Sequence, residues 1–120
     1  MSHPEKVHHS PLAVDEIRND PVGRDVKHLD EEYVRFENTG DDPLDISGWT
    51  VENDAGERYE FPEGTVLEPG FHLTLHTGSG ADTETDHYWG SEKPVWNNLE
   101  DSVFVRDDTG TLRIRETYNK

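Results

Sequence analysis

His72 and His76 stand four residues apart in "HLTLH", the spacing that on a helix turns two imidazoles toward one zinc ion. The surrounding "FHLTLH" (71–76) alternates, with Phe71, Leu73 and Leu75 facing inward, and so reads as a strand. At a rise of roughly 3.3 Å per residue the two histidines are then about 13 Å apart and cannot share a metal. They are expected to be solvent-facing strand residues, to either of which His87 or an Asp of the following segment could add a ligand. His3, His8 and His9 fall in an aperiodic stretch and read as fortuitous.

Calcium needs hard oxygen donors, and "DTETD" (82–86) offers Asp82, Glu84 and Asp86 on a Gly-bearing stretch. The Gly-centred pattern of an EF-hand is absent, so the expectation is at most a weak calcium site and no other cofactor. Catalysis has less support. Ser79 lies in "GSG" without the strand–turn–helix context of a nucleophile elbow, and no Gly loop opens a helix to cradle phosphate. Carboxylates are too abundant for any pair to stand out, and the chain is expected not to be an enzyme.

Recognition is the remaining chemistry. Between Arg35 and Arg106 the basic residues are Arg58 and Lys93 alone, which excludes a basic stripe across the middle of the chain. A nucleic-acid surface would have to use Arg113 and Arg115 on one outward strand face, with Arg35 or Arg106 beside them. Three or four phosphate contacts give modest affinity and a log–log salt slope of roughly −3, and the surrounding acids oppose even that. The aromatic residues make a different offer. Tyr88, Trp89 and Trp96 lie in the connection 77–98, a 22-residue stretch without evident strands. Long connections of this kind are often functional, and Tyr and Trp dominate binding hot spots. Tyr88 and Trp89 are therefore the expected anchors for a protein partner, Trp96 a core residue, and Asn97-Asn98 the turn into the last hairpin.

These side chains must be carried by short strands. "EYVRFEN" (32–38) alternates with Val34 and Phe36 inward. In "PLDISGWTVEN" the inward pairs are Leu44/Ile46 and Trp49/Val51, and their parity changes at Ser47-Gly48. One irregular step at that glycine keeps all four on one side, which makes Trp49 the filling of a sandwich core and not a surface platform. "NDAG" (53–56) turns the chain into "RYEF", with Tyr59 and Phe61 alternating. Pro69-Gly70 suits a type II turn. The end of the chain is a hairpin turning at Asp108-Thr109-Gly110, with Val103/Val105 and Leu112/Ile114 inward. The expected core comprises Val34, Phe36, Ile46, Trp49, Val51, Phe61, Leu73, Leu75, Trp96, Val103 and Val105. Many short strands divided by turns, with no convincing amphipathic helix, argue an all-β sandwich.

Composition bounds the rest. The 120 residues suit one domain, and no apolar run approaches the roughly 20 residues of a membrane span. The absence of cysteine removes disulfides and thiolate metal sites. "MSHPEKVHHSPLAVDEIRND" has no signal-like stretch, so a cytoplasmic protein is expected as written, or an extracellular one if an upstream segment is missing. A net charge of −16, with acids in every segment and four lysines, resembles the proteins of salt-accumulating halophiles.

"EYVRFENTGDDPLDISGWTVENDAG" and "YEFPEGTVLEPGFHLTLHTG" together resemble the first half of the lamin tail domain, in its bacterial and archaeal form. "HYWGSEKPVWNNLEDSVFVRDDTGTL" is similar to that family's second half, departing at Leu99-Glu100, where a Gly usually precedes the Asp. The resemblance covers residues 12–118, behind a flexible lead-in at 1–11. It implies an immunoglobulin-like β-sandwich (lamin-tail type) without catalytic residues, serving as an accessory module. The expectation is thus a non-enzymatic domain that docks an unknown protein partner through Tyr88 and Trp89. A nucleic-acid module using Arg35, Arg106, Arg113 and Arg115 is the alternative, and a calcium-dependent surface module using Asp82, Glu84 and Asp86 comes third.

Overall fold

The computed structural model describes residues 5–18, 32–93, 95–96 and 100–119, and ten strands lie in that part of the chain. They are β1 (Leu12–Arg18), β2 (Tyr33–Asn38), β3 (Leu44–Asp45), β4 (Thr50–Glu52), β5 (Arg58–Glu60), β6 (Val66–Leu67), β7 (His72–His76), β8 (Asp86–Tyr88), β9 (Glu100–Arg106) and β10 (Leu112–Asn119). Two four-stranded sheets, β1-β2-β7-β8 and β10-β9-β4-β5, form the layers, and β3 pairs with β6 in a small third sheet. Every pairing is antiparallel except β7 with β8. No helix occurs among the described residues. The chain is an all-β, immunoglobulin-like sandwich.

Alternation places the core. Val34, Phe36, Leu73 and Leu75 from one sheet and Val51, Val103, Val105 and Ile114 from the other are buried, with Ile46, Trp49, Phe61, Val95 and Trp96 among them. Phe36 and Phe61 meet edge to face with centroids 6.1 Å apart, a preferred aromatic arrangement. The parity change at Ser47-Gly48 is a tight turn: Trp49 N–H donates to Ile46 O at 3.0 Å, and Gly48 sits at φ 77°. Only glycine takes that backbone without strain. Ile46 before the turn and Trp49 after it therefore face the same interior.

The turns at 53–57 and 107–111 close as their residues imply, through Asn53 N–H to Glu57 O and Asp107 N–H to Thr111 O. Phe71 N–H to Glu68 O closes the turn at Pro69-Gly70. Three expectations need correction. Phe71 is 58% exposed, because it belongs to that turn and precedes the first ladder residue of β7. The 77–98 connection contains β8, whose three residues are too few to show an alternation. Residues 5–11, read as part of a flexible lead-in, are tied to β10 through His8 N–H to Leu112 O, while Glu5 binds Arg106 and Arg115. Two backbone bonds and an ion pair leave no periodic trace in sequence. The turn assigned to Asn97-Asn98 and the departure at Leu99 lie outside the described residues.

Candidate functional site

Strand β8 runs along the edge of its sheet, and its geometry decides what the long connection can present. Its outer side is closed by its own lead-in: Tyr88 N–H donates to Asp82 Oδ1 (3.0 Å) and Thr83 N–H to Asp86 O (2.7 Å). Thr83 Oγ1 accepts the Thr85 and Asp86 N–H groups in turn. The edge is thereby blunted against pairing with another chain.

Tyr88 and Trp89, the expected anchors, are both partly buried. The Tyr88 ring stacks on His76 with centroids 4.7 Å apart and lies against Gly80, where a Cβ would come within 2.6 Å of it. Trp89 packs on the core, with its ring 5.9 Å from Tyr59 and 6.0 Å from Trp96. The pair closes the sandwich more than it projects from it.

Asp82, Glu84 and Asp86 do not converge. Asp86 accepts from Thr85 Oγ1 and lies 2.8 Å from His76 Nε2, contacts that hold its carboxyl below its usual range. Asp82 caps Tyr88, and Glu84 is exposed. Among the described residues the one triad of His and carboxylate groups with ligand atoms within 4.8 Å of one another is a different one, Asp15, Glu37 and His72. His87 joins neither of the other histidines in a metal set, since it is buried with Nδ1 3.3 Å from the Tyr59 hydroxyl.

The four arginines do not all share a face: Glu5 brings Arg106 and Arg115 together, while Arg35 stands apart. Arg35 lies on β2, whereas Arg106, Arg113 and Arg115 belong to β9 and β10 in the opposite layer, so their outward faces diverge. Each is engaged by a neighbouring acceptor: Arg35 by Glu16 (3.0 Å), Arg106 by both oxygens of Glu5 (2.6 and 2.7 Å), Arg113 by Asp107 (2.9 Å), and Arg115 by the Glu5 carbonyl.

The exposed apolar residues lie elsewhere. Among the described residues the large hydrophobics that are exposed are Val66 (45%) and Phe71 (58%), and both line one cleft of about 450 Å³. The β6 region from Pro62 to Glu68 forms one wall and the segment Asp82–Glu84 the other, with His72 and the buried His87 also lining it. Four carboxylates, Glu63, Glu68, Asp82 and Glu84, rim it, and no Lys or Arg lines it. Sequence reasoning missed Phe71 because parity alone turned it inward with Leu73 and Leu75. Its place directly after Pro69-Gly70 was the available signal that it stands at the open end of the strand. Val66 had no such signal, since a two-residue strand shows no alternation.

The cleft, the blunted edge and the turn framework sit on a scaffold that is recognisable as a whole. A model of the lamin tail domain matches residues 7–120, the greater part of the chain. That family consists of immunoglobulin-like, non-enzymatic domains that serve protein interaction. No curated protein matches the chain. With the family pattern running through both sheets and every turn described above, the chain belongs to the lamin tail domain family.

Proposed function

We propose that this domain docks a partner protein by seating an extended segment in the cleft between β6 and the Asp82–Glu84 wall. The segment presents an apolar side chain to Val66 and Phe71 and basic residues to Glu63, Glu68, Asp82 and Glu84. One observation carries the reading: the exposed large hydrophobics among the described residues fall together in one concave site that four carboxylates and no Lys or Arg line. Concavity with an apolar floor is what recognition sites generally offer, and a single-sign rim selects partners and steers encounter. The long connection takes part through Asp82, Thr83 and Glu84.

The test is selection from a random peptide display library, followed by affinity measurement of the selected sequences. Enrichment of an aromatic or aliphatic residue flanked by Lys or Arg is expected, with binding lost in Phe71→Ser and retained in Arg113→Gln. Acidic selected sequences, or equal binding by Phe71→Ser, would remove the cleft from consideration.

A further inference from the structure

We propose that Asp15, Glu37 and His72 form a site for a divalent first-row transition metal, zinc being the representative ion, on the outer face of β1, β2 and β7. The register builds it. Glu37 on β2 lies directly opposite His72 on β7. On the other side β2 pairs with β1, whose register slips between Val14 and Glu16, leaving Asp15 as the extra residue of a bulge. Bulges re-aim a side chain that strict alternation would send elsewhere, and here the Asp15 carboxylate reaches across to the histidine.

His72 Nε2 is 3.7 Å from Asp15 Oδ2 and 3.7 Å from Glu37 Oε1, and all three ligand atoms lie within 4.8 Å of one another. These separations exceed a hydrogen bond, so the groups face a common point without bonding each other. The nearest point equidistant from three such atoms lies no more than about 2.4 Å from each, against about 2.0–2.2 Å for zinc bonded to nitrogen or oxygen. The ion therefore needs only a few tenths of an ångström of closure. One imidazole nitrogen with two carboxylates is a borderline donor set suited to zinc and its neighbours. It is too poor in oxygen for calcium, which takes six to eight such ligands. With the three side chains one-third to one-half exposed, water completes the coordination.

Arg35 is the competing cation. Its Nη1 lies 3.8 Å from the same Asp15 oxygen but 3.0 Å from Glu16 Oε1, so it keeps its shorter contact when a metal takes Asp15. The site stands apart from the proposed docking role, although His72 also lines that cleft.

Zinc titrated into the isotopically labelled full chain at neutral pH, followed by NMR, tests the proposal. One equivalent should bind saturably, with the largest changes at the His72 ring and at Asp15 and Glu37. His72→Gln should weaken binding by at least about tenfold. Arg35→Gln should tighten it, a gain that loss of fold cannot mimic. A His3→Gln/His8→Gln/His9→Gln triple variant should bind as wild type, which separates the site from the histidines near the N-terminus. Undiminished binding by His72→Gln, or changes scattered over carboxylates without the His72 ring, would overturn the site. Calcium reproducing the zinc shifts at equal concentration would overturn the metal class.

Discussion

Glu32 Oε1 accepts the backbone N–H of Trp96 at 3.0 Å, and also that of Val95 at 2.8 Å and the Thr77 hydroxyl at 2.7 Å. Glu32 is fully buried, so one carboxylate at the entry to β2 fixes both the start and the end of the long connection. Thr77 N–H, bonded to the Glu32 carbonyl at 3.0 Å, completes the clasp. Trp96 reaches the core because this carboxylate supplies its backbone with an acceptor where no strand partner does.

Removing that acceptor should be costly. Glu32→Ala leaves three buried donors unpaired and is expected to destabilise the fold by roughly 2–4 kcal/mol. Glu32→Gln keeps an oxygen at the position and should cost about 1 kcal/mol. Urea unfolding monitored by tryptophan fluorescence measures both. Equal losses would mean that the negative charge matters and the hydrogen-bond geometry does not.

Asp107 sets the acid limb of stability. Burial alone would raise its carboxyl, but bonds from the Thr109 hydroxyl, the Thr111 N–H, the Arg113 guanidinium and the Thr109 N–H outweigh it and hold the group well below the usual carboxylate range. An unfolded Asp titrates near about 3.9. The contribution is therefore complete above about pH 5 and falls away as the pH drops through 4 toward the depressed folded value. Asp107→Asn should lose about 1–3 kcal/mol at neutral pH and show a shallower decline below about pH 4 than wild type. Parallel acid profiles would deny Asp107 this role.

Tyr59 acts at the opposite end of the pH scale. Burial, reinforced by the Asp82 carboxylate, pushes its phenol up to about 12, against about 10 in an unfolded chain. The folded protein keeps a proton there that the unfolded chain releases, so this contribution is whole below about pH 10 and is lost as the pH rises toward about 12. Urea midpoints of wild type and Tyr59→Phe across that range should diverge, with the flatter alkaline limb belonging to the variant. Phenolate absorbance of the two folded proteins should coincide up to about pH 11.

The parts of this architecture legible in sequence are those set by local alternation and turn chemistry. Val34/Phe36, Leu73/Leu75 and Val103/Val105 mark their strands unaided, and the parity change across Ser47-Gly48 announces the turn that brings Ile46 and Trp49 to one side. What stays hidden depends on partners distant in the chain. β8 exists because β7 supplies its ladder and Asp82 and Thr83 close its other edge. The meeting of Asp15, Glu37 and His72 likewise draws on three strands and a bulge, and nothing in the spacing of residues 15, 37 and 72 encodes it. Phe71 escapes the alternation for the complementary reason: parity describes a strand's middle, whereas Phe71 stands at its end.

Trp89 and Phe71 exchange the roles that residue type alone would give them. Trp89 is packed against Tyr59 and Trp96, so Trp89→Ala should destabilise by roughly 1.5–3 kcal/mol and weaken docking only through that loss. Phe71, 58% exposed, should tolerate Ser within about 0.5 kcal/mol while abolishing capture of the basic segment. Measuring unfolding and peptide affinity on both variants, at a temperature where each is fully folded, separates the two effects. If Trp89→Ala lost affinity while folded and Phe71→Ser kept it, recognition would belong to the long connection's aromatics, and the cleft would be only the gap beneath them.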